Sequence, residues 1–175
     1  EFTPDEESLD NMVWDLRELA EQDEKHRVSY TDVYGKDSQV AGIENNTLYY
    51  YEQRNDSLLT WGYENNLMKA EYDRPVLLLK TPLVYGNRYD GLFHGRTAYC
   101  ERVFSRVCGS YYVKVDGTGV MLLPNGDTLR HVSRVHIHGI AVSHPYPHIS
   151  TDKELKAYAD SLPFTNDSIM AYLQD

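Results

Sequence analysis

The sequence predicts a mainly β protein: an antiparallel sandwich or open barrel, with a short helical tail at its C-terminal end. Two observations carry this reading. From Asn46 onward, β-prone runs succeed one another at short intervals, each closed by turn residues such as Asn55-Asp56, Glu64-Asn65-Asn66 and Asn125-Gly126. The period of the apolar residues changes to a helical one only after Pro147. At 175 residues, 41% hydrophobic and 25% charged, the chain is long enough to bury a core without metals or disulfides.

The first 25 residues read two ways. Thr3-Pro4-Asp5-Glu6 is a helix start, with Thr3 as cap, Pro4 in the first turn and Glu6 closing a capping box. Leu9, Met12, Val13, Leu16 and Leu19 continue at helical spacing. Yet Asp10-Asn11 is a turn signal, and Val13 to Leu16 fits a short strand equally well.

The strand series begins with Thr47 to Tyr51 and returns through Leu58 to Tyr63. Leu67 to Tyr72 follows, and Asp73-Arg74-Pro75 breaks the chain. Val76-Leu77-Leu78-Leu79 is a continuous apolar run, as in a strand buried on both faces. Pro82 and Gly86 punctuate a polar loop that extends over Asn87 to Asp90. Strands are then expected at Thr97 to Phe104 and Val107 to Val115, a tight turn at Asp116-Gly117-Thr118-Gly119, and a short strand at Val120 to Leu123. Asn125-Gly126 turns the chain into a long strand from Thr128 to Ala141, and His144 to His148 is extended. The β-rich domain thus covers residues 1–150. Residues 151–175 form the tail, where Thr151-Asp152-Lys153-Glu154 is a capping box and Leu155, Tyr158, Ala159 and Leu162 share one face. Pro163 stops that helix, and Thr165 is placed to cap a last one, with Ile169, Met170 and Leu173 inward.

The formal charge of −10 argues against nucleic acid, whose phosphates would be repelled. No apolar run reaches the roughly 20 residues of a membrane-spanning helix. The chain opens on Glu1 without an initiator Met, which reads as a processed chain whose leader has gone. Cys100 and Cys108 lie in no zinc spacing; they read either as a disulfide across a hairpin or as two free thiols in a strand-rich core.

Several segments carry a resemblance. Asp116-Gly117-Thr118-Gly119 leading to Leu123-Pro124-Asn125-Gly126-Asp127-Thr128-Leu129 and Arg134-Val135-His136, with Trp14-Asp15-Leu16, Pro82-Leu83-Val84-Tyr85-Gly86 and Phe93-His94-Gly95 upstream, resembles an uncharacterised family of secreted and surface proteins of Bacteroidetes-type bacteria. The resemblance spans most of residues 12–138 in the same order. It implies export to the periplasm or cell surface, lipid anchoring before processing as one form of it, and further sequence after Asp175. It brings no catalytic residues. Since such relatives hold the Trp-Asp pair in extended chain, it favours a short helix near residues 4–10 followed by a strand through Trp14.

Chemistry-bearing motifs are few. His136 and His138, two apart on a strand, point to the same face, as two imidazoles would to hold a metal. His131, His144 and His148 lie near enough in sequence to complete a site, while an exposed polar strand face explains the pair equally. Asp15, Glu44, Glu64, Glu71 and Glu101 sit beside aromatics, but no spacing marks a carboxylate pair. There is no nucleophile elbow, no H-E-x-x-H and no phosphate loop, and the sequence calls for no cofactor. The composition has 15 tyrosines against 4 phenylalanines, most of them within the strand region. Adjacent strand tyrosines face opposite sides, so some lie outside. Tyr50, Trp61 and Tyr63 are the expected members of an exposed aromatic platform for a glycan or an envelope protein. The reading leans to a non-enzymatic binding or structural module. The alternatives are a metal-dependent enzyme built on His136 and His138, and a lipocalin-like container for a small ligand.

Overall fold

A computed structural model describes residues 10–20 and 26–146, together with 151, 153, 154, 157, 166, 169 and 170. Among the described residues nine strands form one open sheet: β1 (Met12–Asp15), β2 (Ser29–Asp32), β3 (Gln39–Glu44), β4 (Thr47–Arg54), β5 (Ser57–Glu64), β6 (Met68–Lys80), β7 (Arg88–Tyr99), β8 (Val103–Leu122) and β9 (Thr128–Pro145). From β2 to β9 each strand pairs antiparallel with the next in sequence. β1 is the exception. It pairs parallel with Met12 against Gly119 through Asp15 against Leu122, continuing the side of β8 that β7 occupies further back. The mainly β, antiparallel expectation holds, as does the strand through Trp14. The expected helix at 4–10 lies outside the described residues.

Turn chemistry sets the short hairpins. Asn45 and Asn46 both take positive φ, 47° and 59°, between Glu44 and Thr47, as a two-residue hairpin of the twist-matched type requires. Asn55, at φ 53°, turns β4 into β5.

Five expectations need correction. The Asp116 to Gly119 stretch is not a turn. It continues β8, and register shifts at Val115/Gly117 and Gly119/Met121 absorb the surplus residues. Gly119 serves close approach: a Cβ there would stand 1.9 Å from the Met12 carbonyl oxygen, so only glycine admits β1. Asp73-Arg74-Pro75 does not end a strand either. β6 runs through it, and Pro75 falls where neither the β5 nor the β7 ladder has a partner for it. The apolar run Val76 to Leu79 is half-buried rather than buried on both faces, because β6 there pairs with β5 alone. The polar loop is shorter than expected, since β7 already begins at Arg88, and the turn before β8 falls at Cys100 to Arg102.

The hairpin register also decides the cysteines. Cys108 pairs with His94, and Cys100 sits in the turn at positive φ. Both thiols are free, Cys108 buried and Cys100 exposed.

The large buried apolar side chains gather in one half of the sheet. Phe93, Phe104, Val107, Cys108, Val113 and Val115 lie on β7 and β8, joined by Ile169 of the tail. The tail's described positions Lys153, Glu154, Ala157, Asn166, Ile169 and Met170 are helical. Its N-cap forms: the Thr151 hydroxyl oxygen accepts the Glu154 N–H at 3.3 Å, and the hydroxyl donates to the Glu154 carboxylate at 3.0 Å. Ile169 points inward as expected, whereas Met170 is 44% exposed. Arg74 donates to the Asn166 side-chain oxygen at 2.6 Å, tying the tail to β6. The other tail residues named from the sequence lie outside the described residues, as does His148.

Candidate functional site: an aromatic stripe on an open sheet

Side chains alternate across a sheet, so ring contacts identify the faces. On one face, Tyr49 lies 6.3 Å from Tyr51 and 6.2 Å from Tyr63 across the β4–β5 pair. Tyr72 and Phe93 follow at 5.2 Å, then Phe93 and Tyr111 at 6.5 Å. Tyr30 of β2 joins from the other end. A Cβ on Gly42 would meet the Tyr51 ring at 2.9 Å and the Tyr30 ring at 3.3 Å, so both rings close over that glycine. The stripe therefore crosses the sheet from β2 to β8.

Glycines make it possible. Gly42 underlies Tyr51 and Tyr30, Gly91 underlies Tyr111, and Gly109 underlies Phe93. A ring laid on a side-chain-free backbone buries one face against the sheet and leaves the other to meet a neighbour or a ligand. Burial pushes the Tyr51 hydroxyl above its ordinary value, with Tyr49, Glu44 and Tyr30 adding to it. The Tyr72 hydroxyl is raised mainly by burial and further by Tyr63. Both tyrosines are therefore neutral hydrogen-bonding groups at physiological pH.

The stripe is not uniform. Over β7 and β8 it belongs to the core, with Phe93 buried. Over β2 to β5 it opens, and Tyr30 is 69% exposed. There a groove of about 540 Å³ is lined by Tyr30, Ser38, Val40, Tyr51, Gln53, Leu58 and Leu78.

Of the expected platform residues, only Tyr63 lies in this stripe. Trp61 is the surplus residue of a β5 bulge, since Tyr50 pairs with Gly62 and Tyr51 with Thr60. The bulge reverses the alternation and sends Trp61 to the opposite face, with Tyr50. Both are engaged there. The Trp61 indole N–H donates to Glu52 at 2.7 Å, and the Tyr50 hydroxyl donates to Glu64 at 3.0 Å. Burial works to raise the Glu52 carboxyl, but hydrogen bonds from Trp61, Arg54 and Ser38 outweigh it and hold the group below the usual range. Burial and the Glu64 hydrogen bond push Tyr50 up to about 12. The signal missed in the sequence was the Gly42/Tyr51 and Gly109/Phe93 interleaving, legible only once the register is known.

His136 and His138 do share a face, which is the one opposite the stripe. Tyr112 stands against both, stacked on His138 at 5.3 Å and edge-on to His136 at 5.6 Å, while the Arg88 guanidinium covers its ring at 4.1 Å. The two imidazoles are 6.5 Å apart and mutually perpendicular. Asp116 is held by Arg134 at 2.7 and 3.1 Å and lies 3.7 Å from His136. Among the described residues no three His, Cys, Asp or Glu side chains converge as a metal site would have them. The carboxylates named from the sequence have separate partners: Asp15 with Arg17, Glu44 with His26, Glu64 with Tyr50 and Glu71 with Arg96. Glu101 lies in the turn after β7. Nor does the sheet close: β2 and β9 remain separate edges among the described residues, so the wall of a lipocalin-like container is open. No helix of the described residues is long and apolar enough to cross a membrane.

Comparison with protein-family models, with curated proteins and with solved structures finds no match to this chain.

Proposed function

We propose that this protein is a non-enzymatic binding module of the cell envelope, working in the periplasm or at the cell surface. In this reading the open end of the aromatic stripe holds an extended ligand, and a glycan chain is the class that fits. The single observation that carries the proposal is the run Tyr30–Tyr51–Tyr49–Tyr63, which crosses β2 to β5 beside an open groove. Strands lie about 4.8 Å apart, so four of them present a track of roughly 15 Å. Ring faces match the apolar faces of sugar rings, while the phenol groups, Ser38 and Gln53 supply hydrogen bonds at the margin. The resemblance to secreted and surface proteins supports the location.

The test is a screen of oligosaccharides followed by affinity measurement on variants. Tyr51→Ala and Tyr30→Ala should each weaken the bound oligosaccharide tenfold or more. Trp61→Phe, on the opposite face, should leave affinity unchanged. Binding lost with Trp61→Phe but kept in the tyrosine variants, or no binding to any oligosaccharide, overturns the proposal.

A further inference from the structure

The sheet has a second surface with its own chemistry, the edge of β9 that is unpaired among the described residues. Among the described residues β9 pairs only with β8, and Thr128 to His131 and Ile137 to Ala141 are exposed. Proteins usually blunt such an edge by shortness, proline or bulges. Here the strand runs from Val132 to Ser143 without a proline, leaving alternate N–H and C=O groups pointing away from the sheet.

Its two faces differ. Arg134, His136 and His138 project to one side, next to Lys114. Val135, Ile137, Gly139 and Ala141 project to the other, with Ile137 45% exposed. The whole strand carries Arg130, His131, Arg134, His136, His138 and His144, and no acidic residue, in a chain of net charge −10. The charged and titratable groups facing His136 and His138 are Tyr112, Lys114 and Asp116 of β8 and Arg88 and Asp90 of β7. Asp116 is held by Arg134 and Asp90 by Arg88, so the acids of this surface are already answered.

We propose that this edge takes an added strand from an acidic polypeptide in which carboxylates alternate with small or apolar residues. Main-chain hydrogen bonds would come from the open ladder. The carboxylates would align with His136 and His138, and the small residues with Val135 and Ile137. Like charges on two copies of β9 disfavour the same edge pairing with itself.

The experiment titrates the intact chain with a labelled eight-residue peptide alternating glutamate and threonine, read by fluorescence anisotropy. Three comparisons accompany it: the lysine–threonine peptide, the glutamate–threonine peptide methylated at its backbone nitrogens, and the His136→Glu/His138→Glu variant, with circular dichroism to show that it folds. The glutamate–threonine peptide should bind the intact chain, and raising the salt concentration should weaken it. Backbone methylation and the double variant should each cost tenfold or more, and the lysine peptide should not bind. Equal binding of the methylated peptide would mean bare anion attraction, as an acidic polysaccharide would also show, and would overturn the proposal. So would undiminished binding by the double variant, equal binding of the lysine peptide, or no binding at millimolar peptide.

Discussion

The two halves of this sheet use aromatic rings differently. In β7 and β8 the strands are 12 and 20 residues long, and Phe93, Phe104, Val107, Cys108, Val113 and Val115 are buried. In β2 to β5 the strands are 4 to 8 residues long. The buried side chains there are Ala41 and the polar pair Gln39 and Glu52. Both halves seat rings on glycines. In one the ring's outer face is taken up by core neighbours, and in the other it meets solvent. The same local device thus yields stability where the surroundings are apolar and an exposed aromatic surface where they are not.

The largest expected break in this contrast is Phe93→Ala. Phe93 touches Tyr72, Tyr111 and the Gly109 backbone, so its loss should cost about 4 kcal/mol in denaturant unfolding. A cost below 1 kcal/mol would deny that this half holds the fold together. A matched pair of glycine substitutions sharpens the contrast. A Cβ on Gly109 would stand 2.2 Å from the Ile140 carbonyl oxygen, which is backbone, so Gly109→Ala should cost about 2–3 kcal/mol. On Gly42 it would meet only the ends of the Tyr51 and Tyr30 rings, which can swing aside. Gly42→Ala should therefore cost under about 1 kcal/mol in stability yet weaken ligand binding, as thermal melts and titrations would show.

A further effect concerns the polar knot of the β2–β5 half. Glu52→Ala leaves the Trp61 indole N–H without its acceptor and should cost about 1–2 kcal/mol at neutral pH. Because the folded carboxyl is depressed, the stability it adds is complete above the ordinary glutamate range and is lost as pH falls through the lower, folded value. The difference between wild type and variant should therefore shrink below about pH 4. A difference independent of pH down to 3 would contradict this role.

Much of the fold was legible in the sequence, for local reasons. Asn125-Gly126 and Asn55-Asp56 fix turns by their own backbone preferences, and Thr151 with Glu154 fixes a cap. The errors arose where partners decide. Asp116-Gly117-Thr118-Gly119 has turn composition, but Gly119 admits β1, a contact no local window contains. β2 and β3 were missed because Ser29–Asp32 is exposed throughout and Gln39–Glu44 lacks a clear period. His136 and His138 were placed on one face correctly, since β9 has no bulge between them. Tyr50, Trp61 and Tyr63 do not share one: Tyr50 pairs with Gly62, next to Tyr63 and so facing the other way, and the surplus residue at Trp61 reverses its alternation.

The central claim is that ligand lies on the stripe side of β2 to β5. Residue-resolved chemical-shift mapping during titration with a bound oligosaccharide tests it most directly. The account predicts perturbed signals for Tyr30, Gly42, Tyr51 and Tyr63, with Tyr112, His136 and His138 unmoved. Perturbations centred on Trp61 and Tyr50, or on the β8–β9 face around Tyr112, would contradict it.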